Sequence, residues 1–271
     1  MIYDINGNAL NTVYDVNGDV LSAVYDINGN LLNGTAFADE TTITDVYTPT
    51  VERHVQGGCV DDEGNIYACL YTSGKFLKYN LTTGLETVIT PSQASGSQPW
   101  GHANGMTYNP NTEYLYVASM KNTGEVYVFN KSCELVDTLY AKNASDIAFN
   151  CWNICYDRLT ERFITLSGGV IYFFDDNFDL LTTGTYSISD WEETRQDIET
   201  DGTFIYCISW NTNKIFVFDM NGHRVATIIN SAFTGEPESM CYDWENEVYY
   251  IEGMENTNSY YVIRQAEFIE S

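Results

Sequence analysis

Trp100–Asn130, WGHANGMTYNPNTEYLYVASMKNTGEVYVFN, contains the unit that recurs along most of this chain. A polar stretch with Trp100, His102 and Asn104 leads into Gly105-Met-Thr-Tyr-Asn109, which ends in a polar turn. The alternating run Tyr114–Ala118 reads as a second strand, because β-branched and aromatic residues fit a pleated, packed surface. A Gly-containing turn and a third strand, Glu125–Phe129, follow, and Asn130 closes the unit.

Two markers repeat in step along the chain. The first closes the innermost strand: Cys59-Val-Asp-Asp62, Met106-Thr-Tyr-Asn109, Ile154-Cys-Tyr-Asp157, Ile198-Glu-Thr-Asp201 and Met240-Cys-Tyr-Asp243, with Asp/Asn spacings of 47, 48, 44 and 42. The second closes the third strand at Asn80, Asn130, Asp175 and Asp219, with a degenerate copy at Arg264 and spacings of 50, 45, 44 and 45. Four strands repeating at this period indicate a β-propeller, and five markers of each kind predict five four-stranded blades. The fifth blade runs out of sequence after its third strand. The orphan strand Thr41–Tyr47 is therefore expected to pair into it, closing the ring and removing an exposed edge. The fold class read here is all-β: a five-bladed propeller over 37–271, preceded by a short β-hairpin segment over 1–36.

That segment holds three copies of an 11-residue repeat, Tyr3-Asp-Ile-Asn-Gly-Asn8, Tyr14-Asp-Val-Asn-Gly-Asp19 and Tyr25-Asp-Ile-Asn-Gly-Asn30. Asn-Gly suits a two-residue hairpin turn because both residues accept positive φ, so each copy reads as strand, turn, strand. A calcium loop needs ligands over twelve residues running into a helix, and this repeat closes at eleven and runs into another strand. So short a meander buries little core alone, so 1–36 is expected to form a homo-oligomer or dock onto a larger assembly.

Composition narrows the partners. The chain has 271 residues, with 12 Lys+Arg against 38 Asp+Glu and a formal charge of −26. With no basic cluster, nucleic acid and anionic membrane surfaces are poor partners. No run reaches transmembrane length and no secretory signal is recognisable, so no membrane insertion is expected. Seven scattered cysteines read as buried free thiols rather than a disulfide frame. No zinc-ligand spacing, phosphate loop or dinucleotide motif occurs, so neither a metal nor a cofactor is expected.

Propeller topology sorts the loops onto two faces. The turns after the innermost strands carry Asp and Asn, which reads as turn chemistry on a solvated acidic face. The near face, where loops lead into the innermost strands, should carry Trp100, His102, Asn104, Trp152, Trp191, Gln196, Trp210, Glu236 and Glu238. Aromatic faces beside amides and carboxylates suit a sugar, whose C–H face stacks while its hydroxyls take hydrogen bonds. The alternative is that these tryptophans cap blade ends. Counting five residues back from each inner-strand Asp/Asn gives Gly57, Asn104, Trp152, Gln196 and Glu238 as a ring around the axis.

These blades resemble the NHL/YVTN class of β-propellers, and the YDxNGN repeats resemble N-terminal segments of phage and prophage tail proteins from gut Firmicutes. The second resemblance implies a virion-associated or extracellular protein that needs no secretory signal; without a phage origin the chain would be cytoplasmic. The expected function is a non-enzymatic module that recognises a cell-surface glycan through its Trp-rich face. The alternatives are a glycan-cleaving enzyme using Asp197 and Glu238 as an axial carboxylate pair, and a purely structural assembly scaffold.

Overall fold

The computed structural model describes residues 37–50, 55–70, 74–91, 100, 102–120, 124–185, 195–231, 233, 235–255 and 260–269, together with four short strands near the N-terminus. Those four form two antiparallel pairs, β1 (Ile2–Tyr3) with β2 (Ala9–Leu10) and β3 (Val24–Tyr25) with β4 (Leu31–Asn33). They flank the first and third Asn-Gly pairs; the Asn-Gly pairs themselves lie outside the described residues. No helix occurs among the described residues.

After β5 (Phe37–Tyr47) the chain runs through sheets of one pattern, each an antiparallel meander. The first holds β6 (Val55–Val60), β7 (Asn65–Leu70), β8 (Lys75–Asn80) and β9 (Glu86–Ile89). The second holds β10 (Ala103–Asn109), β11 (Tyr114–Ser119), β12 (Glu125–Asn130) and β13 (Leu135–Tyr140). The third holds β14 (Cys155–Asp157), β15 (Arg162–Ser167), β16 (Val170–Phe174) and β17 (Leu180–Thr185). An eight-stranded sheet takes in β18 (Arg195–Thr200), β19 (Phe204–Ser209), β20 (Lys214–Asp219) and β21 (Arg224–Ile229), then β5, then β24 (Tyr260–Ile269), β23 (Val248–Glu255) and β22 (Pro237–Asp243).

The architecture is all-β and propeller-like. The orphan strand does pair into the last meander: β5 runs antiparallel to β24 through Arg264↔Val46, Ala266↔Ile43 and Glu267↔Thr42. It begins earlier than the sequence suggested, at Phe37, whose ring packs edge-on to Phe204 at 5.2 Å. Its contact with β21 is one parallel pair, Ile229↔Glu40, and that single pair joins two four-stranded units into eight strands.

The innermost strands lie side by side, β6 against β10, β10 against β14, β14 against β18, β18 against β22 and β22 against β6. Between successive sheets sit five apolar clusters, one of which packs Phe76, Trp100, Phe129 and Tyr67. Second strands such as β7 and β19 are buried on both faces, which explains why they read as near-continuous apolar runs. A fully buried Leu- or Phe-sized side chain contributes about 1.5–3 kcal/mol, so these clusters hold the sheets face to face. All seven cysteines are free and buried, as expected of small hydrophobes.

The Asp and Asn residues that close strands act as turn caps. Asn111 N–H donates to Asn109 Oδ1 at 2.9 Å, Leu159 N–H to Asp157 Oδ1 at 3.0 Å and Glu245 N–H to Asp243 Oδ1 at 3.0 Å. In the first unit the capping carboxylate is Asp61, which accepts from Glu63 N–H at 2.9 Å, and not Asp62. That one-residue correction matters at the axis.

Candidate functional site

Four of the five innermost strands carry a β-bulge at one place. The ladder skips a residue between Gln56 and Gly58, Ala103 and Gly105, Arg195 and Asp197, and Pro237 and Ser239. The extra residues are Gly57, Asn104, Gln196 and Glu238, four of the five chosen by counting back from the turns. A bulge leaves its extra residue out of the pairing and re-aims the side chain, and bulges gather beside functional sites. In β14 the strand starts later. There Asn153 replaces the missing ladder with its own amide: Leu166 N–H donates to Asn153 Oδ1 at 2.9 Å, and Asn153 Nδ2 donates to the Leu166 carbonyl at 3.3 Å.

The re-aimed side chains meet. Asn104 Nδ2 donates to the Gln196 carbonyl at 2.5 Å, and Gln196 Nε2 donates to Glu238 Oε2 at 2.5 Å. Gln56 Nε2 also reaches Glu238 Oε2, at 3.4 Å. Gln56, and not Gly57, supplies the first unit's side chain; it stands five residues before Asp61, the true turn cap. Gly57 has φ +59°, and a Cβ there would lie 3.2 Å from the Gly105 carbonyl carbon, so only glycine fits comfortably. Gly105 is needed for close approach: a Cβ would lie 2.7 Å from Asn153 Cα and 2.8 Å from Asp197 Oδ1.

Electrostatics divide the axis into two levels. At the near level, burial raises Glu238 well above the usual carboxylate range; the charge of Glu236 adds to this, and the amides of Gln196 and Gln56 oppose it. Deeper in, Asp197, Glu199 and Glu252 are all buried. Burial raises Asp197 well above its ordinary range and pushes Glu199 up to about 8 and Glu252 up to about 7. Glu199 accepts from Thr200 N–H at 2.8 Å and Tyr242 N–H at 3.1 Å, while Glu252 accepts from the Tyr261 hydroxyl.

The far end is closed by Arg158. Its Nη1 donates to Asp62 Oδ1 at 2.6 Å, and its guanidinium lies 5.8 Å from the Tyr108 ring centroid and 5.7 Å from that of Trp244. Tyr108, Tyr156, Arg158, Glu199, Tyr242 and Trp244 line a small cavity there, of about 10 Å³. The freed Asp62 thus anchors the plug instead of capping a turn.

The near-face aromatics scatter. Trp100 is 0% exposed, lying 5.0 Å from Phe76 and 5.4 Å from Phe129 between ring centroids. This corrects its assignment to a binding face: the indole is inter-sheet core, and its carbonyl accepts the Ser119 hydroxyl at 2.6 Å. Trp210 is 45% exposed at the end of β19, and Trp152 is partly buried beside Asn153. Trp191 lies outside the described residues. His102 is half-buried, and burial lowers its pKa; Glu236 is exposed at the rim. Asp197 and Glu238 take different neighbours, Asp197 feeling Glu199 and Glu252 and Glu238 feeling Glu236. Among the described residues no group of three or more His, Cys, Asp or Glu is arranged to hold a metal ion.

This geometry gathers amide groups and one buried carboxyl at one level of the innermost strands, an arrangement able to hydrogen-bond a polar group. Gln56 and Arg158 were missed by sequence reasoning. The spacing from Asp61 would have found Gln56, but nothing in the local sequence marks Arg158 as a plug.

No family model matches the chain, and no curated protein matches it. Among solved structures it is similar to glutaminyl cyclase from Myxococcus xanthus, with a TM-score of 0.64 and 13% identity, covering 88% of this chain and 100% of that one. It is also similar to hydrazine synthase from Kuenenia stuttgartiensis, at a TM-score of 0.46 and 10% identity, covering 79% of this chain and 58% of that one. At such identities the cyclase likeness is one of fold, and the weaker one carries no argument.

Proposed function

We propose that the chain is a five-bladed binding propeller that recognises a saccharide at the near mouth of its axis. The observation that carries this reading is the repeated bulge. Four innermost strands spend a ladder position at one level, and three of the extra residues, Asn104, Gln196 and Glu238, join one hydrogen-bonded group with Gln56. Fold maintenance alone has no need of such a group, since buried polar side chains are tolerated rather than favoured in a core. Amides and a carboxyl match sugar hydroxyls, and exposed Trp210 and partly buried Trp152 are aromatic residues able to stack on a sugar. The blade count rests on the five innermost strands in mutual contact and on β5 supplying the outer strand beside β24.

A glycan array tests the reading. The parent protein should give saccharide signals, and the Asn104→Ala, Gln196→Ala double variant should lose them while still unfolding cooperatively. A blank array with folded parent protein would sink it. The virion setting, with assembly through 1–36, rests on the YDxNGN repeats; light scattering of the full chain against a 37–271 fragment tests it, a monomeric full chain counting against it.

A second reading is a proton-transfer enzyme, favoured by buried Glu238, its pKa raised by burial and its carboxyl held by Gln196. The cyclase likeness names a substrate to try, a peptide with N-terminal glutamine. Glu238→Gln should then abolish turnover, and a parent protein inert toward it would remove that substrate.

A further inference from the structure

We infer that the saccharide taken at this mouth carries a free amine, an inference that rests on the glycan-binding reading above. Its ground is an imbalance between donors and acceptors. Glu238 Oε2 already receives Gln196 Nε2 and Gln56 Nε2, and Asn104 Nδ2 is turned toward the Gln196 carbonyl. One N–H of each amide is thus taken up within the protein. Gln56 is only 9% exposed, and its Oε1 is buried without a hydrogen-bond partner, although its own Nε2 places the amide head against Glu238. A buried acceptor with no donor costs about 1–3 kcal/mol, which a bound donor would recover.

The charge around it has the same sense. Exposed Glu236 acts on Glu238, and among the described residues no cation is one of the groups that shift it. The plug Arg158 is engaged with Asp62 at the far end. An ammonium group has three donors and no acceptor, so it suits a site rich in acceptors and carboxyls. An N-acetyl group would bring a carbonyl oxygen against the Gln56 carbonyl and Glu238. The docked ammonium pairs with Glu238 as a carboxylate, and no covalent bond changes.

Titration calorimetry of the full chain with a glucosamine tetramer and with its fully N-acetylated counterpart tests this. The amine form should bind at least about tenfold tighter, the scale of a close desolvated charge pair. Glu238→Gln should erase the preference, and Glu267→Gln, the same substitution at an exposed site on β24, should keep it. Gln56→Met serves the same purpose if Glu238→Gln does not fold. Equal or tighter binding of the N-acetylated tetramer overturns the amine inference and leaves saccharide binding standing. Binding of neither overturns both, as does binding of triglycine with no saccharide.

Discussion

Raising the pH from 5 to 8 should weaken this fold, and Glu252→Gln should remove a defined part of that loss. Glu252 is fully buried on β23, beside Gly58 of β6, where a glycine Cβ would collide with its carboxyl. Burial pushes it up to about 7 from an ordinary 4.5, the Tyr261 hydroxyl, Cys241 and Ser239 opposing the rise. The folded pKa therefore exceeds the unfolded one. Its stabilising contribution is complete below about pH 4.5 and is lost as pH rises toward 7, because the unfolded chain releases that proton first. Between pH 5 and 7 the loss covers about two pH units at about 1.4 kcal/mol each, or ~3 kcal/mol. Glu199, pushed up to about 8, adds a loss of the same sign that extends one unit further. Urea unfolding at pH 5 and pH 8 reads the gap directly. In Glu252→Gln, whose amide stays neutral at both pH values, the gap should shrink by ~3 kcal/mol. An unchanged gap would refute the claim that this buried carboxyl stays protonated in the folded chain.

Two further outcomes follow from the same packing. Trp100→Ala should lower stability by about 3–5 kcal/mol, a sharp fall in melting temperature, whereas Trp210→Ala at an exposed site should change it little; equal effects would undo the placement of Trp100 in the core. Burial raises the thiols well above their ordinary range, as at Cys59, Cys155 and Cys241. A thiol reagent at pH 8 should therefore label no cysteine in the folded chain and all seven in denaturant, and rapid labelling of the folded chain would contradict the burial.

The period was legible because a propeller repeats its turn chemistry: Asn109, Asp157 and Asp243 each cap the turn that the spacing marked. Asn104, Gln196 and Glu238 were legible for the same reason, being five residues ahead of Asn109, Asp201 and Asp243. Gln56 was not, because two aspartates stand together at 61–62 and the counting started from the wrong one. The bulges left no mark beyond Gly57, since a bulge is a property of pairing between strands and not of either strand alone. Trp100 misled because a tryptophan ahead of an innermost strand can turn outward to the mouth or inward between sheets, and only Phe76 and Phe129, one from each neighbouring sheet, decide it. Glu199 and Glu252 sit in strands buried on both faces, where a carboxylate is uncommon, so their burial could be seen only in three dimensions.

The most direct test is a crystal structure of the protein soaked with the strongest saccharide from the array. The account predicts the sugar at the axial mouth, within hydrogen-bond distance of Gln56, Asn104 or Glu238. A sugar bound instead in the outer groove between β13 and β17, or on the 1–36 segment, with the mouth empty, would contradict it.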